Sequence, residues 1–409
     1  MCDALGDITT KRWSKLAKKI YISAVLIGLV SVGLAYGVSQ VTGKGSLWGI
    51  TGGESKIGGH LYNLLGLPVT SLSYYQQFKL LPVFQDQTQT IVVAILVGGA
   101  IPALLSGRFL IRHIPNRWML LQAVVGGFLL GYGARLALGC NIGHFLSGWT
   151  AAGINAVTFT LALIAGVFIG LRVTERFLIF RAKASKFSYL PSAKLQRAVG
   201  IGLLGLAAVL TPFLPPLVGL FWVAGLAFGA LGTFSGICFG TCYRDLVSRQ
   251  FASGIMVKAI GLLLLTFSTG VYILQLLGIP FSFAGVVPNI SQLQIAVGGI
   301  IFGIGISLAG SCIFSTEWRA GSGSLYSLIV FVSTVFLGMP ALALHYDFWL
   351  SLFPPLLPSF SLYSINPTAA YLMPLLFSSI LILYGTSIDT GIRQAFQNLK
   401  TTVIPQIKR

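Results

Sequence analysis

Long apolar runs, broken by short glycine-rich and polar stretches, set the pattern of this chain. A helix needs about 17–25 apolar residues to cross a bilayer. Ten runs meet that length, near 20–42, 90–112, 117–139, 154–177, 197–215, 217–238, 254–278, 289–311, 325–345 and 367–388. The pattern predicts an all-α polytopic membrane protein with about ten transmembrane helices. Between the runs lie GSLWGITGGESKIGGHLYNLLGL, CNIGHFLSGWTAAG, LAFGALGTFSGICFGTCYRDLVSRQFASG and CIFSTEWRAGSGS. Their interrupted, small-residue character predicts short re-entrant or broken helices, which lipid tolerates only where the backbone is buried in protein or lines a water-filled cavity. Four such elements converging from both sides make an hourglass.

One phrase occurs twice. LQAVVGGFLLGYGARLALGCNIG at 121–143 and LQIAVGGIIFGIGISLAGSCIFS at 293–315 share ten identical positions at a constant offset of 172 residues, from Leu121/Leu293 through Gly126/Gly298 and Gly133/Gly305 to Cys140/Cys312. The glycines at Gly127/Gly131 and Gly299/Gly303 suit close helix packing of the small-xxx-small type. With ten spans, the helix ending at Cys140 and the helix ending at Cys312 run in opposite directions. The duplication therefore predicts two inverted repeats, a recurring plan of secondary transporters.

Charge sets the orientation. Basic residues fall in blocks at Lys11 to Lys19, Arg108 to Arg117, Arg172 to Arg197, Arg244 to Lys258, Arg319 and Arg393 to Arg409, all on the side of the N-terminus. The opposite loops hold only Lys44, Lys56 and Lys79. This asymmetry predicts both termini in the cytoplasm. The start, MCDALGDITTKRWSKLAKKI, reads as a retained tail and not a cleaved signal. The divisions are a cytoplasmic tail at 1–19, a first membrane repeat at 20–180, a cytoplasmic basic linker at 181–196, a second membrane repeat at 197–390 and a cytoplasmic tail at 391–409.

Composition agrees: the chain is 55% hydrophobic and 9% charged, with a mean hydropathy of +0.86. A net charge of +18 suggests nucleic acid in a soluble protein, but basic blocks between apolar runs instead follow membrane topology. With so few acids, any aqueous path favours anions.

Candidate chemistry lies in the breaks. Of five cysteines, Cys140, Cys238, Cys242 and Cys312 sit in the glycine-rich interruptions, and Cys2 is in the tail. A zinc site needs four suitably spaced ligands, and Cys238/Cys242 with the scattered His60, His113, His144 and His345 give no second pair. Cys238 and Cys242 on one helix lie about 5–6 Å apart at Cβ, too far for a disulfide. The topology places Cys140 and Cys312 near opposite faces, which leaves three separated thiols along a path. A thiol is a weak, polarizable donor matched to a soft sulfur or selenium atom, and weak sites in series let a substrate enter and still leave.

GARLALGCNIG, CFGTCYRD and LAGSCIFSTEWRAGSG together resemble the three signature segments of the YeeE/YedE family of sulfur-compound transporters, and GITGG at 50–54 and the QAVVGG helix extend the likeness along nearly the whole chain. The resemblance implies uptake of a thiosulfate-like anion handed along Cys140, Cys238 and Cys312 by S–H contacts, with no cofactor. It also implies a soluble sulfur-carrier protein receiving the product at the cytoplasmic face of the inner membrane. The order of the segments is similar to the YedE branch associated with selenium metabolism. The third segment departs from the family pattern at Ser311, Ile313, Phe314, Trp318 and Ser322, and Cys242 is an additional thiol.

Other polar residues complete the candidate path. Arg135, five residues before Cys140 in an apolar helix, reads equally as a substrate guide or as a ligand of backbone carbonyls. Asn141 follows the first cysteine. His144, one turn on, reads as a packed and satisfied histidine before a proton shuttle. Arg244 reads as a local partner of Asp245, and Glu317 and Arg319 as anchors of the third break. Two classes of function remain, a transporter and a membrane sulfurtransferase or thiol oxidoreductase that carries sulfur covalently. The chain carries no quinone, haem, flavin or nucleotide motif, which favours transport.

Overall fold

The computed structural model describes residues 2–112, 114, 116–177, 188–248, 253–354 and 359–403. Residues 181–187 of the basic linker, His113 and the last residues of the C-terminal tail lie outside the described residues. Among the described residues, ten helical segments are long and apolar enough to span a membrane: Ser14–Thr42, Gln87–Leu105, Arg117–Leu136, Ile154–Arg176, Ala193–Phe213, Pro216–Ser235, Gly254–Leu276, Gln292–Gly321, Leu325–Leu344 and Pro367–Gly391. They belong to helices α1 (Cys2–Thr42), α4 (Gln87–Leu105), α5 (Arg117–Leu136), α7 (Ile154–Phe177), α8 (Ala193–Leu210), α9 (Pro216–Ser235), α11 (Gly254–Leu276), α12 (Gln292–Ala309) with α13 (Ile313–Gly321), α14 (Leu325–Ser333) with α15 (Met339–Leu344), and α17 (Pro367–Val403). Ten crossings bring both chain ends to one face, called here the terminal face; the other is the distal face.

Local chemistry sets the helix ends. The side chains of Asp86, Asn116 and Ser291 accept backbone N–H bonds at the starts of α4, α5 and α12, meeting donors that no turn below them can satisfy. One boundary differs from the hydropathy pattern. The run at 90–112 stops being helical at Leu105, where Gly107 turns with φ +67 and β2 (Ile111–Arg112) pairs antiparallel with β3 (Ser188–Tyr189). On the distal side β1 (Gly45–Ser46) pairs parallel with β4 (Phe281–Ser282).

The two copies of the repeated phrase run antiparallel, as the ten spans predict, and lie against each other. A Cβ on Gly126 would stand 2.6 Å from the Ala309 nitrogen, and one on Gly298 would stand 2.6 Å from the Ala137 nitrogen. Gly133 meets Phe302 as Gly305 meets Leu130. The Gln122 amide donates to the Leu308 carbonyl at 2.9 Å, and the Gln294 amide donates to the Leu136 carbonyl at 3.0 Å. Each contact maps onto its mate when 172 is added to one residue and subtracted from the other, so α5 and α12 form a self-complementary interface about a pseudo-twofold axis. The symmetry extends outward: Gly127 and Gly131 of α5 press on Val330 and Thr334, while Gly299 and Gly303 of α12 press on Ala162 and Leu163. With lipid as apolar as any core residue, such backbone approach through small residues is what holds membrane helices together.

The candidate site at the helix breaks

Four short helices fill the centre, as the interrupted segments predict. From the distal side come α2 (Thr51–Leu64) and a π-helix at Asn141–Ser147 continued by α6 (Gly148–Thr150); from the terminal side come α10 (Phe239–Val247) and α13. Their tips meet in aromatic contacts. Phe145 lies edge-on to Phe239 at 5.9 Å and to Tyr243 at 5.5 Å, and Phe239 lies edge-on to Phe314 at 6.5 Å. Each of the three motif segments thus contributes a phenylalanine to one cluster.

Cys140, Cys238 and Cys312 occupy equivalent places, each the residue that caps the N-terminus of its short helix. The chain reaches them through left-handed turns at Gly236 (φ +76) and Gly310 (φ +67). Leu138, the repeat mate of Gly310, adopts φ +57 without glycine's freedom, a strained conformation of the kind that persists where the surroundings enforce it. All three thiols are buried, and each faces the end of a helix where backbone N–H groups have no helical partner. The Cys140 sulfur accepts from the Ile142 N–H at 3.4 Å, and the Cys312 sulfur accepts from the Ser315 N–H at 3.5 Å.

One expectation is corrected here. The three thiols are not all separated, because Cys238 Sγ and Cys312 Sγ contact the same Ser315 hydroxyl, at 3.0 and 3.3 Å. The close approach follows from Gly240, where a Cβ would come within 3.1 Å of the Cys312 nitrogen. Cys140 belongs to the distal side, whereas Cys238 and Cys312 form a pair on the terminal side. Sequence spacing could not reveal Ser315 as the link, since nothing marks that serine apart from its neighbours.

The remaining residues separate into two groups. His144 is satisfied on both nitrogens, Nε2 donating to the Ala137 carbonyl at 2.6 Å and Nδ1 accepting from the Asn155 amide at 2.8 Å, which is the packing role its position suggests. Arg244 pairs with the neighbouring Asp245 at 2.9 Å. Cys242 is buried one turn after Cys238, and both thiols are free. Arg135 binds side chains and not backbone carbonyls: Nε donates to the Tyr74 hydroxyl at 2.5 Å, and its guanidinium lies over the Tyr74 and Phe78 rings. Asn141 is buried with both side-chain polar atoms unpaired. Glu317 does not anchor its own segment either, for neither carboxyl oxygen has a backbone partner. It faces Glu54 of α2 within hydrogen-bond reach. The available signal for Glu54 was its rarity, one of nine acidic residues and set inside GITGGES.

Arg319 opens toward the terminal face, where a cavity of about 990 Å³ is lined by Lys19, Arg108, Gln122, Ser311 and Arg319. Its inner end touches Gly310 and Ser311, the residues just ahead of Cys312. Three cations and, among the described residues, no acid line its wall, which favours anions there. On the distal side the Lys56 ammonium meets the Asp86 carboxylate at 2.5 Å. Burial opposes the charge of Asp86, yet hydrogen bonds from Lys56 and Thr88 outweigh it and hold the carboxyl below the usual carboxylate range.

Residues 6–169 and 234–406 match a protein family described as Sulphur transport. A protein named Probable transporter YedE from Salmonella typhimurium is 31% identical over 317 residues, spanning 74% of this chain and 77% of that one. Its namesake from Escherichia coli is 29% identical over the same shares. A protein named Thiosulfate transporter TsuA from Spirochaeta thermophila is 31% identical over 163 residues, 40% of this chain and 43% of the relative.

Proposed function

Because this chain belongs to the sulphur transport family, we propose that it imports a small thiosulfate-like anion across the inner membrane, handing it without covalent attachment from Cys140 to the Cys238/Cys312 pair. The observation that carries this reading is the equivalent placement of three buried thiols at the N-termini of three short helices joined by one aromatic cluster. Helix N-termini offer N–H donors and positive potential to an anion, and a thiol adds a weak S–H donor and a polarizable sulfur for a soft atom. The basic blocks support a cytoplasmic terminal face. Import then ends in the cavity of Lys19, Arg108 and Arg319, from which the anion passes to cytoplasmic sulfur metabolism.

Uptake of labelled thiosulfate, sulfite, sulfate and selenite into proteoliposomes tests the reading. Thiosulfate is expected to enter fastest, and Cys140→Ala, Cys238→Ala or Cys312→Ala each to slow it at least about tenfold, the equivalent of one contact of about 1.4 kcal/mol. Selenite entering in preference moves the cargo to selenium, while full uptake with all three alanines reduces the thiols to packing. A sulfur adduct on a cysteine that forms and discharges at the uptake rate, seen by intact-protein mass spectrometry, replaces the relay with covalent carriage. Reporter fusions at 188 and at the C-terminus are expected to label from inside, and those at 214 and 284 from outside.

A further inference from the structure

The relay leaves two buried acids unused. Glu54 and Glu317 are both fully buried, and their carboxyls face each other within hydrogen-bond reach. No other donor reaches any of their four oxygens among the described residues. Two carboxylates are acceptors only, so a contact between them is a hydrogen bond only when one carries a proton. Two like charges in contact and away from water are strongly disfavoured, which makes a carboxyl pair hold one proton in common. The members come from opposite sides: Glu54 is on α2, which enters from the distal face, and Glu317 is on α13, which enters from the terminal face.

We propose that Glu54 and Glu317 form a proton-binding dyad that couples anion movement to proton movement. The inference rests on the transport reading and gives it a driving force. The Cys140 thiol lies within electrostatic reach of both carboxyls. With one shared proton the dyad carries one negative charge; with two it is neutral. An anion arriving at Cys140 repels the charged form, so its binding draws in a second proton, and by linkage a second proton strengthens anion binding. When the anion leaves toward the terminal face, that proton is released. One O–H bond forms and breaks per cycle, and one proton travels with each anion.

The surrounding groups leave this role to the dyad. Arg135 of α5 is in electrostatic reach of Glu54 but is committed to Tyr74. From the segment after α2, the Tyr74 and Tyr75 hydroxyls donate to Ser55. On α2 itself Lys56 is paired with Asp86 and His60 with the Leu81 carbonyl. His144 is saturated, the α14 hydroxyl of Tyr326 donates to the Leu308 carbonyl, and Arg319 lies over Trp318. The Cys238 and Cys312 thiols share Ser315.

Two measurements decide it. Infrared difference spectroscopy on the purified protein near neutral pH is expected to show a protonated-carboxyl band that shifts in heavy water, changes in E54Q and in E317Q, and disappears in the double variant. This reads the proton whatever the cargo, so it stands even if thiosulfate uptake fails. In proteoliposomes holding a pH dye, thiosulfate is expected to carry protons inward, and its accumulation to rise about tenfold per pH unit of gradient, the ratio one coupled proton allows. The glutamine variants, checked for monodisperse elution, are expected to bind thiosulfate yet lose that response. Absence of the carboxyl band in the wild type, an unresponsive wild type that still transports, a sodium gradient replacing the proton gradient, or intact coupling in both glutamine variants would each overturn the proposal.

Discussion

The break after α5 and the break after α12 begin as copies and end as different chemistry. Up to the cysteine the two halves repeat each other contact for contact, from Gly126 against Ala309 and Gly298 against Ala137 to the paired Gln122 and Gln294 amides. Beyond it they diverge. Cys140 leads into a π-helix whose histidine is locked in packing, in a turn strained at Leu138. Cys312 leads into a regular helix whose Ser315 ties it to Cys238, beside a cavity walled by three cations. The symmetric part builds the frame, and the asymmetric part gives the two breaks unlike chemistry.

The largest effect should come from the symmetric part. Gly126→Leu and Gly298→Leu each drive a side chain into partner backbone that stands 2.6 Å from an added Cβ. Neither neighbour is the movable tip of a side chain, so the helices must separate, at a cost of several kcal/mol. Both variants are expected to abolish folded protein in membranes, as judged by fluorescence-detected gel filtration. A fold that tolerates one and not the other breaks the claim that the frame is shared equally.

This frame was legible in the sequence, and the reason is physical. Lipid demands long apolar runs and small residues at helix contacts, so both spans and interface appear as patterns of one residue type. The cysteines were legible because polarizable side chains cluster at breaks. What could not be read were the pairings across the centre. Ser315 bridging two thiols and Glu54 meeting Glu317 join residues far apart in sequence, and no local periodicity records such a meeting. Arg135 shows the same limit: its isolation in an apolar helix marked it, but its partner Tyr74 lies in a loop that no pattern singles out.

The asymmetric part is sharpened by Ser315 and its repeat mate, Gly143. Ser315→Ala removes the hydroxyl that both thiols contact, and with it the acceptor of the Cys312 N–H in the capping box at the start of α13. Uptake is expected to fall about tenfold, consistent with one lost hydrogen bond of about 1–1.5 kcal/mol, with a modest loss of thermal stability, about 1 kcal/mol, from the lost cap. Gly143→Ala meets open space, since nothing lies within 4 Å of the added Cβ, and is expected to transport normally. Equal losses in the two variants would erase the distinction between the halves.

A third test probes the distal support of the first half by pH. The Asp86 carboxyl is held below its ordinary value by Lys56 and Thr88. A carboxyl depressed on folding contributes stability that is fully present above its unfolded value of about 3.9 and is lost as pH falls through the folded value. The wild type is therefore expected to lose part of its thermal stability below about pH 4. Asp86→Asn should already lack that part at neutral pH and show a flatter acid limb. An unchanged acid limb in the variant assigns the loss to other groups.

The smallest effect isolates a turn whose backbone the repeats share but fill with different residues. Gly310 and Leu138 occupy matching left-handed turns, at φ +67 and +57, and a Cβ added at Gly310 touches nothing within 4 Å. Gly310→Ala therefore changes conformational preference without changing packing. A left-handed residue with a Cβ is disfavoured by roughly 1–2 kcal/mol, and alanine's narrower freedom in the unfolded chain offsets up to about 1 kcal/mol of that. The net expectation is a small destabilisation, about 1 kcal/mol or less, read as a slightly lower melting temperature with thiosulfate uptake preserved. Leu138→Ala is the matching control, because it keeps the Cβ and hence the strain, so its change should report only lost packing. If Gly310→Ala instead stops transport while the fold stays intact, the turn before Cys312 must move during the cycle, and the two breaks differ in mobility as well as in chemistry.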